Sequence, residues 1–210
     1  MLFRSKLASP HLCAAHCVWV DERDQQLLAD HDIKVMHCPG SNLKLGSGIA
    51  PVPEMRAKGI TVSLGADGAA CNNRLDMFEE MRLAAVLQAM RKQPGSLPAR
   101  DVLWMATRAG ARTLGLEQEI GSLEVGKKAD VVLHDTDRPE WRPLLNVMNQ
   151  LVWSADGRGV HTVFVDGRVV VDAGRMTTID EERLYADAQA AGESIVLRSG
   201  LPDKAKFPMY

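Results

Sequence analysis

The stretch Ile60-Thr61-Val62-Ser63-Leu64-Gly65-Ala66-Asp67-Gly68 constrains the fold more than any other. Ile60, Val62 and Leu64 alternate after the punctuating Gly59, which is the signature of a buried strand. Asp67 falls where that strand gives way to a loop, between two glycines that let a ligand approach the backbone. Two earlier stretches follow the same grammar. Leu12-Cys13-Ala14-Ala15 runs into His16, and Ile33-Lys34-Val35-Met36 runs into His37. Twenty-one residues separate His16 from His37 and 30 separate His37 from Asp67. A strand-helix-strand unit takes about 30 residues. Right-handed crossovers would set the three strands parallel with their polar ends on one face, where parallel α/β folds carry their active sites.

The intervening segments fit that scheme. Asp21 is placed to cap a helix whose first turn holds Glu22 and Asp24, with Leu27 and Leu28 facing inward. Pro39-Gly40 stops the second strand, and residues 41–48 read as a long loop of small residues that shapes a pocket. Pro51 and Pro53 open a short helix that Gly59 ends. After a polar loop from Asn72 to Asp76, Leu83, Val86, Leu87 and Met90 mark the apolar stripe of a long helix. Residues 98–114 read as one helix or two in succession. From Ile120 the pattern changes to short apolar bursts. Strands are expected at 129–133, 160–165 and 168–171, with Asp166-Gly167 as a hairpin turn. The division is therefore residues 1–120, then a small β unit over 121–178, then residues 179–210. The last part is a helix from Asp180 to about Arg198, with Leu184, Ala188, Ala191 and Ile195 on one face, and an extended tail.

Composition excludes several classes. The net charge of −2 gives no basic excess to neutralise phosphates, which argues against nucleic acid as a partner. No apolar run approaches the roughly 20 residues of a membrane span, and no signal core follows the charged N-terminus. A cytoplasmic location is expected. Cys13, Cys17, Cys38 and Cys71 form no CxxC pair and read as reduced, mostly buried side chains.

The chemistry concentrates at three positions. Imidazoles and carboxylates converging on an open position suit a hydrolytic metal site. Asp67 is a candidate metal ligand, proton acceptor, or both. His16 and His37 are candidates for ligation or for hydrogen bonding to water and a developing anion. Ser41 and Asn42 favour turns, and Asn42 also stands where it could wall a pocket. Asn72 and Asn73 either cap the following helix, the preferred reading, or reach the pocket; Glu79 and Glu80 are read as acids of its early turns, and Arg82 and Arg108 as solvent or ion-pair residues. His11, His31, His134 and His161 are read as surface or sheet residues.

Longer segments carry a family resemblance. They are Ala14-Ala15-His16-Cys17; residues 37–51, His-Cys-Pro-Gly-Ser-Asn-Leu-Lys-Leu-Gly-Ser-Gly-Ile-Ala-Pro; and Gly65-Ala66-Asp67-Gly68 with Asn72-Asn73. Residues 76–82, 105–107 and 120–130 add to them. The chain resembles the amidohydrolase superfamily, in particular the adenosine, S-adenosylhomocysteine and methylthioadenosine deaminases and the related chlorohydrolases. The resemblance implies an α/β fold. It would be the C-terminal part of a (β/α)8 TIM-type barrel, strands six to eight, followed by part of a small β-sandwich and a C-terminal helix. It implies Asp67 as metal ligand and proton shuttle and His16 as the histidine that contacts water and the tetrahedral intermediate. His37 and Asn42 would lie on the substrate side. The cofactor would be Zn2+, with Fe2+ as the other metal suited to such ligands. The substrate would be a small heterocycle, a purine-type or triazine-type ring that loses ammonia or chloride.

The family's paired His-x-His, its further histidine ligand and its acid/base glutamate have no counterpart in the 210 residues. Two readings therefore compete with catalysis. In one the chain is a fragment without activity that self-associates or pairs with a missing N-terminal half through open strand edges. In the other it binds metal without chemistry, for which His16, His37 and Asp67 are the only plausible set.

Overall fold

The computed structural model describes residues 7–200. Three short strands, β1 (Cys13–Ala15), β2 (Lys34–His37) and β3 (Val62–Leu64), form a parallel sheet in the order β1-β2-β3. Ala14 pairs with Val35, and Val35 with Val62. The ladder runs on past the regular strands. His16 N donates to Met36 O at 2.8 Å and Gly65 N to His37 O at 2.9 Å. The three polar strand ends predicted from sequence thus lie side by side.

Helices fill the crossovers: α1 (Glu22–Asp30), then α2 (Pro39–Lys44) and α3 (Val52–Ala57). Asp21 caps α1 in a reciprocal capping box with Asp24. The expected long loop after β2 is in part helical. Pro39 occupies the first turn of α2, where its fixed φ and missing N–H cost nothing, so Pro39-Gly40 ends a strand and starts a helix at once. After β3 come α4 (Met77–Arg91), α5 (Ala99–Ala106) and α6 (Arg108–Thr113). The region 98–114 is two helices, broken at Thr107.

One face of the sheet, with Val35 and Val62, is buried against Val52 and Met55 of α3, Ala84 and Ala85 of α4, and Val102 and Met105 of α5. The apolar stripe expected on α4 is displaced. Leu83 and Val86 are only half-buried and Met90 is 76% exposed, while Glu80, Met81, Ala84, Ala85, Leu87 and Gln88 are buried. Close packing selects the alanines, and the two buried polar side chains of the helix, Glu80 and Gln88, both have partners. Gln88 Nε2, for instance, donates to Ala50 O at 2.9 Å. Asp76, not Asn72 or Asn73, caps α4, accepting from Phe78 N at 2.8 Å.

A second, antiparallel sheet has the order β4-β5-β6-β7: β4 (Val131–His134), β5 (Val160–Val165), β6 (Arg168–Asp172) and β7 (Arg175–Met176). Asp166 and Gly167 turn the β5–β6 hairpin with φ of 51° and 75°, the sign that a type I′ turn demands of both residues. Between β4 and β5 stands a helix that the sequence reading did not anticipate, α7 (Val147–Trp153). Its Val152 enters the first core. His134 is held edge-on to Phe78 at 5.3 Å between ring centroids, so this segment packs back on α4. The final helix, α8 (Glu181–Ser199), is capped by Asp180 and buries none of its residues, including Leu184, Ala188, Ala191 and Ile195. The tail at 201–210 lies outside the described residues. Among those described, no helix is long and apolar enough to cross a membrane.

The core sets a stability expectation. Met105 is fully buried among β3, α4 and α5 residues. Met105→Ala is expected to lower unfolding stability by about 2–5 kcal/mol through lost burial and the cavity left behind. Denaturant unfolding of the parent and the variant measures it.

Candidate active site

The strand ends surround a cleft of about 310 Å³. Ala15, Met36 and Ser63 form its floor, on the sheet face opposite Val35 and Val62, and His16, Cys38 and Asp67 stand at its rim. Gly110, Thr113 and Leu114 close it from the α6 side.

Both His16 and Asp67 adopt left-handed backbone, with φ of 65° and 63°. This region is costly for most L-residues but is visited more readily by His and Asp. The chain turns sharply there, and the two side chains converge. His16 Nε2 lies 3.7 Å from Asp67 Oδ2. That distance is too long for a direct hydrogen bond, and both groups remain available to a third.

Two consecutive residues of α2 hold the pair. Ser41 Oγ donates to Asp67 Oδ2 at 2.6 Å. Asn42 Oδ1 lies 2.8 Å from His16 Nδ1. An amide oxygen can only accept, so His16 carries its hydrogen on Nδ1 and presents Nε2 to the cleft. Gly68 N donates to Asp67 Oδ1 at 2.7 Å, and the Cys71 side chain adds a further hydrogen bond to the carboxylate. These bonds, that of Ser41 first and then that of Gly68, hold the Asp67 carboxyl below its ordinary value. It is an anion at neutral pH.

Behind α2 lies a buried carboxylate. Glu80 Oε2 accepts from Gly40 N at 3.0 Å and Oε1 from Asn72 Nδ2 at 2.6 Å. Lys44 Nζ donates to Ala70 O at 2.8 Å and also reaches Asn73 Oδ1, tying the other end of α2 to the loop after Asp67.

The sequence-derived candidates divide accordingly. Asp67 and His16 are together at the cleft. Asn42 is 1% exposed and turned toward His16, and it is not among the residues that line the cleft. His37 does not line it either. Its place on β2 shares the parity of Val35, so the ring is fully buried on the core side. His16, His37 and Asp67 therefore do not form a ligand set. Among the described residues no three His, Cys, Asp or Glu side chains are placed to hold a metal ion. Ser41, Asn72 and Glu80 were read as turn, cap and helix-start residues. The adjacency of Ser41 and Asn42 to a strand end, and the place of Asn72 in the loop after Asp67, are the sequence signals that point to the site. Burial pushes the Cys17 and Cys38 thiols up to about 11, so neither offers a thiolate near neutral pH.

This geometry has relatives. Residues 4–170 match the Amidohydrolase family, and the chain belongs to it. It is 47% identical over 191 residues to a 5'-deoxyadenosine deaminase of Methanosarcina acetivorans, covering 90% of this chain and 44% of that one. Among solved structures, it superposes with a TM-score of 0.91 and 36% identity on a zinc-bound adenosine deaminase from Xanthomonas campestris, covering 93% of this chain and 45% of that one. With a zinc-complexed atrazine chlorohydrolase from Arthrobacter aurescens the values are 0.84 and 31%, over 90% of this chain and 42% of that one. The chain thus spans a little under half the length of these relatives.

Two pH-dependent outcomes follow. Ser41→Ala removes the largest cause of the lowered Asp67 value, so the carboxyl should titrate at higher pH, as carboxyl carbon NMR would show. His37 moves the other way for a base: burial, with His16 adding to it, pushes its imidazole from 6.5 down to about 4. Between those values the unfolded chain binds the extra proton. The stability is fully present above about pH 6.5 and drains as pH falls, at about 1.4 kcal/mol per pH unit. Unfolding measured from pH 7.5 to 4 should show this slope in the parent and its loss in His37→Gln.

Proposed function

We propose that this chain is the C-terminal part, strands six to eight with a share of the β-sandwich, of a hydrolase that removes ammonia from an adenosine-type nucleoside. The observation that carries the reading is the convergence of His16 Nε2 and the Asp67 carboxylate on one cleft, each oriented by a neighbouring residue of α2. The higher identity to the deoxyadenosine deaminase than to the chlorohydrolase favours deamination over dechlorination.

Asp67 accepts a proton from the attacking water and passes it to the departing exocyclic amino group, so that the bond from the ring carbon to that amine breaks as a C–O bond forms and ammonia leaves. Its ionised state at neutral pH suits that task. His16 Nε2 accepts a hydrogen bond from the attacking water and, once the C–O bond has formed, from the hydroxyl of the tetrahedral intermediate. The Nδ1–H held by Asn42 keeps this nitrogen turned to the reacting atoms.

Zinc, the metal of the two solved relatives, suits an open carboxylate such as Asp67. A bound metal supplies Lewis-acid activation of water. Asp67 alone does not make a metal site, and the remaining ligands are not among the described residues.

The test substitutes the chain for the segment it matches in the 5'-deoxyadenosine deaminase of Methanosarcina acetivorans, supplies Zn2+ with 5'-deoxyadenosine, adenosine or atrazine, and measures ammonia and chloride release. Ammonia from a nucleoside is expected of the joined protein and little or none of the chain alone, with turnover of the joined protein falling about 100-fold or more in Asp67→Asn. Chloride alone would move the reading to dechlorination. No product, together with no stoichiometric zinc, would replace it with that of a non-catalytic association partner.

A further inference from the structure

We infer that Glu80 is a positioning residue that sets the orientation of the His16–Asp67 pair from outside the cleft. The inference rests on the reading of that pair as the chemical centre, but its test does not depend on turnover.

Glu80 lies on α4, is 1% exposed and directs its carboxylate to Gly40 and Asn72 and not to His16 or Asp67. Its carboxylate joins the two segments that do the holding. Oε2 takes the N–H of Gly40 in the first turn of α2, immediately before Ser41 and Asn42. Oε1 takes the amide of Asn72 in the loop that leaves Asp67, and Asn72 Oδ1 in turn accepts from Arg74 N at 3.2 Å. One buried group therefore fixes α2 relative to the Asp67 loop. On that relation depend both Ser41–Asp67 and Asn42–His16.

The approach is close enough to dictate sequence. A Cβ on Gly40 would sit 2.3 Å from Glu80 Oε1 and 2.7 Å from Asn72 Nδ2. Gly40 is glycine because the carboxylate needs the space, and its own φ is not in the left-handed region. Burying a carboxylate is costly, and desolvation raises the pKa of Glu80 against the two hydrogen bonds. An apolar side chain would fill the same volume more cheaply but would leave the Gly40 N–H and the Asn72 amide without partners. What the carboxylate contributes is geometry.

The readout is the tautomer of the His16 ring, from nitrogen NMR of the histidine-labelled chain at a pH where the ring is neutral, together with hydrogen exchange at Gly40. The parent should show hydrogen on Nδ1. In Glu80→Ala that preference should give way to a tautomer mixture, and Gly40 protection should fall by about tenfold or more. Glu80→Gln keeps an acceptor for Gly40 and should retain most of both signals. Met81→Ala, on the same helix but buried in the apolar core, should lower thermal stability and leave the tautomer unchanged. If Glu80→Ala does not fold, Asn72→Ala severs one arm with the carboxylate in place and should loosen the tautomer preference alone. A His16 ring on Nε2–H in the parent, an unchanged tautomer in folded Glu80→Ala (or in Asn72→Ala where that stands in for it), or an equal change in Met81→Ala would overturn the inference.

Discussion

Ser41 and Asn42 are neighbours in the chain, and their partners are 26 residues away on either side. That grip is possible because β2 is the central strand of the order β1-β2-β3. Neighbouring strands lie about 4.8 Å apart, so the segment leaving β2 is the one within reach of both outer strand ends. α2 begins immediately after β2 and faces His16 on one side and Asp67 on the other. A loop in its place would pay more entropy to hold two side chains at once.

The pair is held at some cost. His16 and Asp67 lie in left-handed backbone, and Glu80, Asn42 and Asn72 are polar groups withdrawn from water. Strain and buried polarity at one locality are the usual mark of a site whose geometry is fixed by its surroundings. The ionisable groups near it that are not used are kept inert by the same burial. His37 is held neutral and the Cys17 and Cys38 thiols stay protonated, so the charge at the rim belongs to Asp67.

The second sheet is tied to the first core by Val152 of α7 and by the edge-on contact of Phe78 with His134. α8, by contrast, buries nothing among the described residues. Its apolar positions are as periodic as those of the buried helices, which shows that periodicity establishes a helix and one of its faces but not what covers that face.

The sequence by itself determined the three parallel strands, their polar ends, the helix caps at Asp21 and Asp180, the Asp166-Gly167 hairpin and the pairing of His16 with Asp67 as candidates. Each depends on local chemistry: alternation, spacing, capping oxygens and turn residues with positive φ. Tertiary structure decided the rest. Whether His37 faced the cleft or the core was a matter of strand parity against a sheet face that only packing defines. Glu80 looked like any acid at a helix start until the fold placed Gly40 and Asn72 against it. Asn42 moved from pocket wall to the back of His16 because its neighbours arrive from another strand. Alternation and caps are written within a few residues, whereas a buried carboxylate joining two segments is written only where three distant stretches of chain meet.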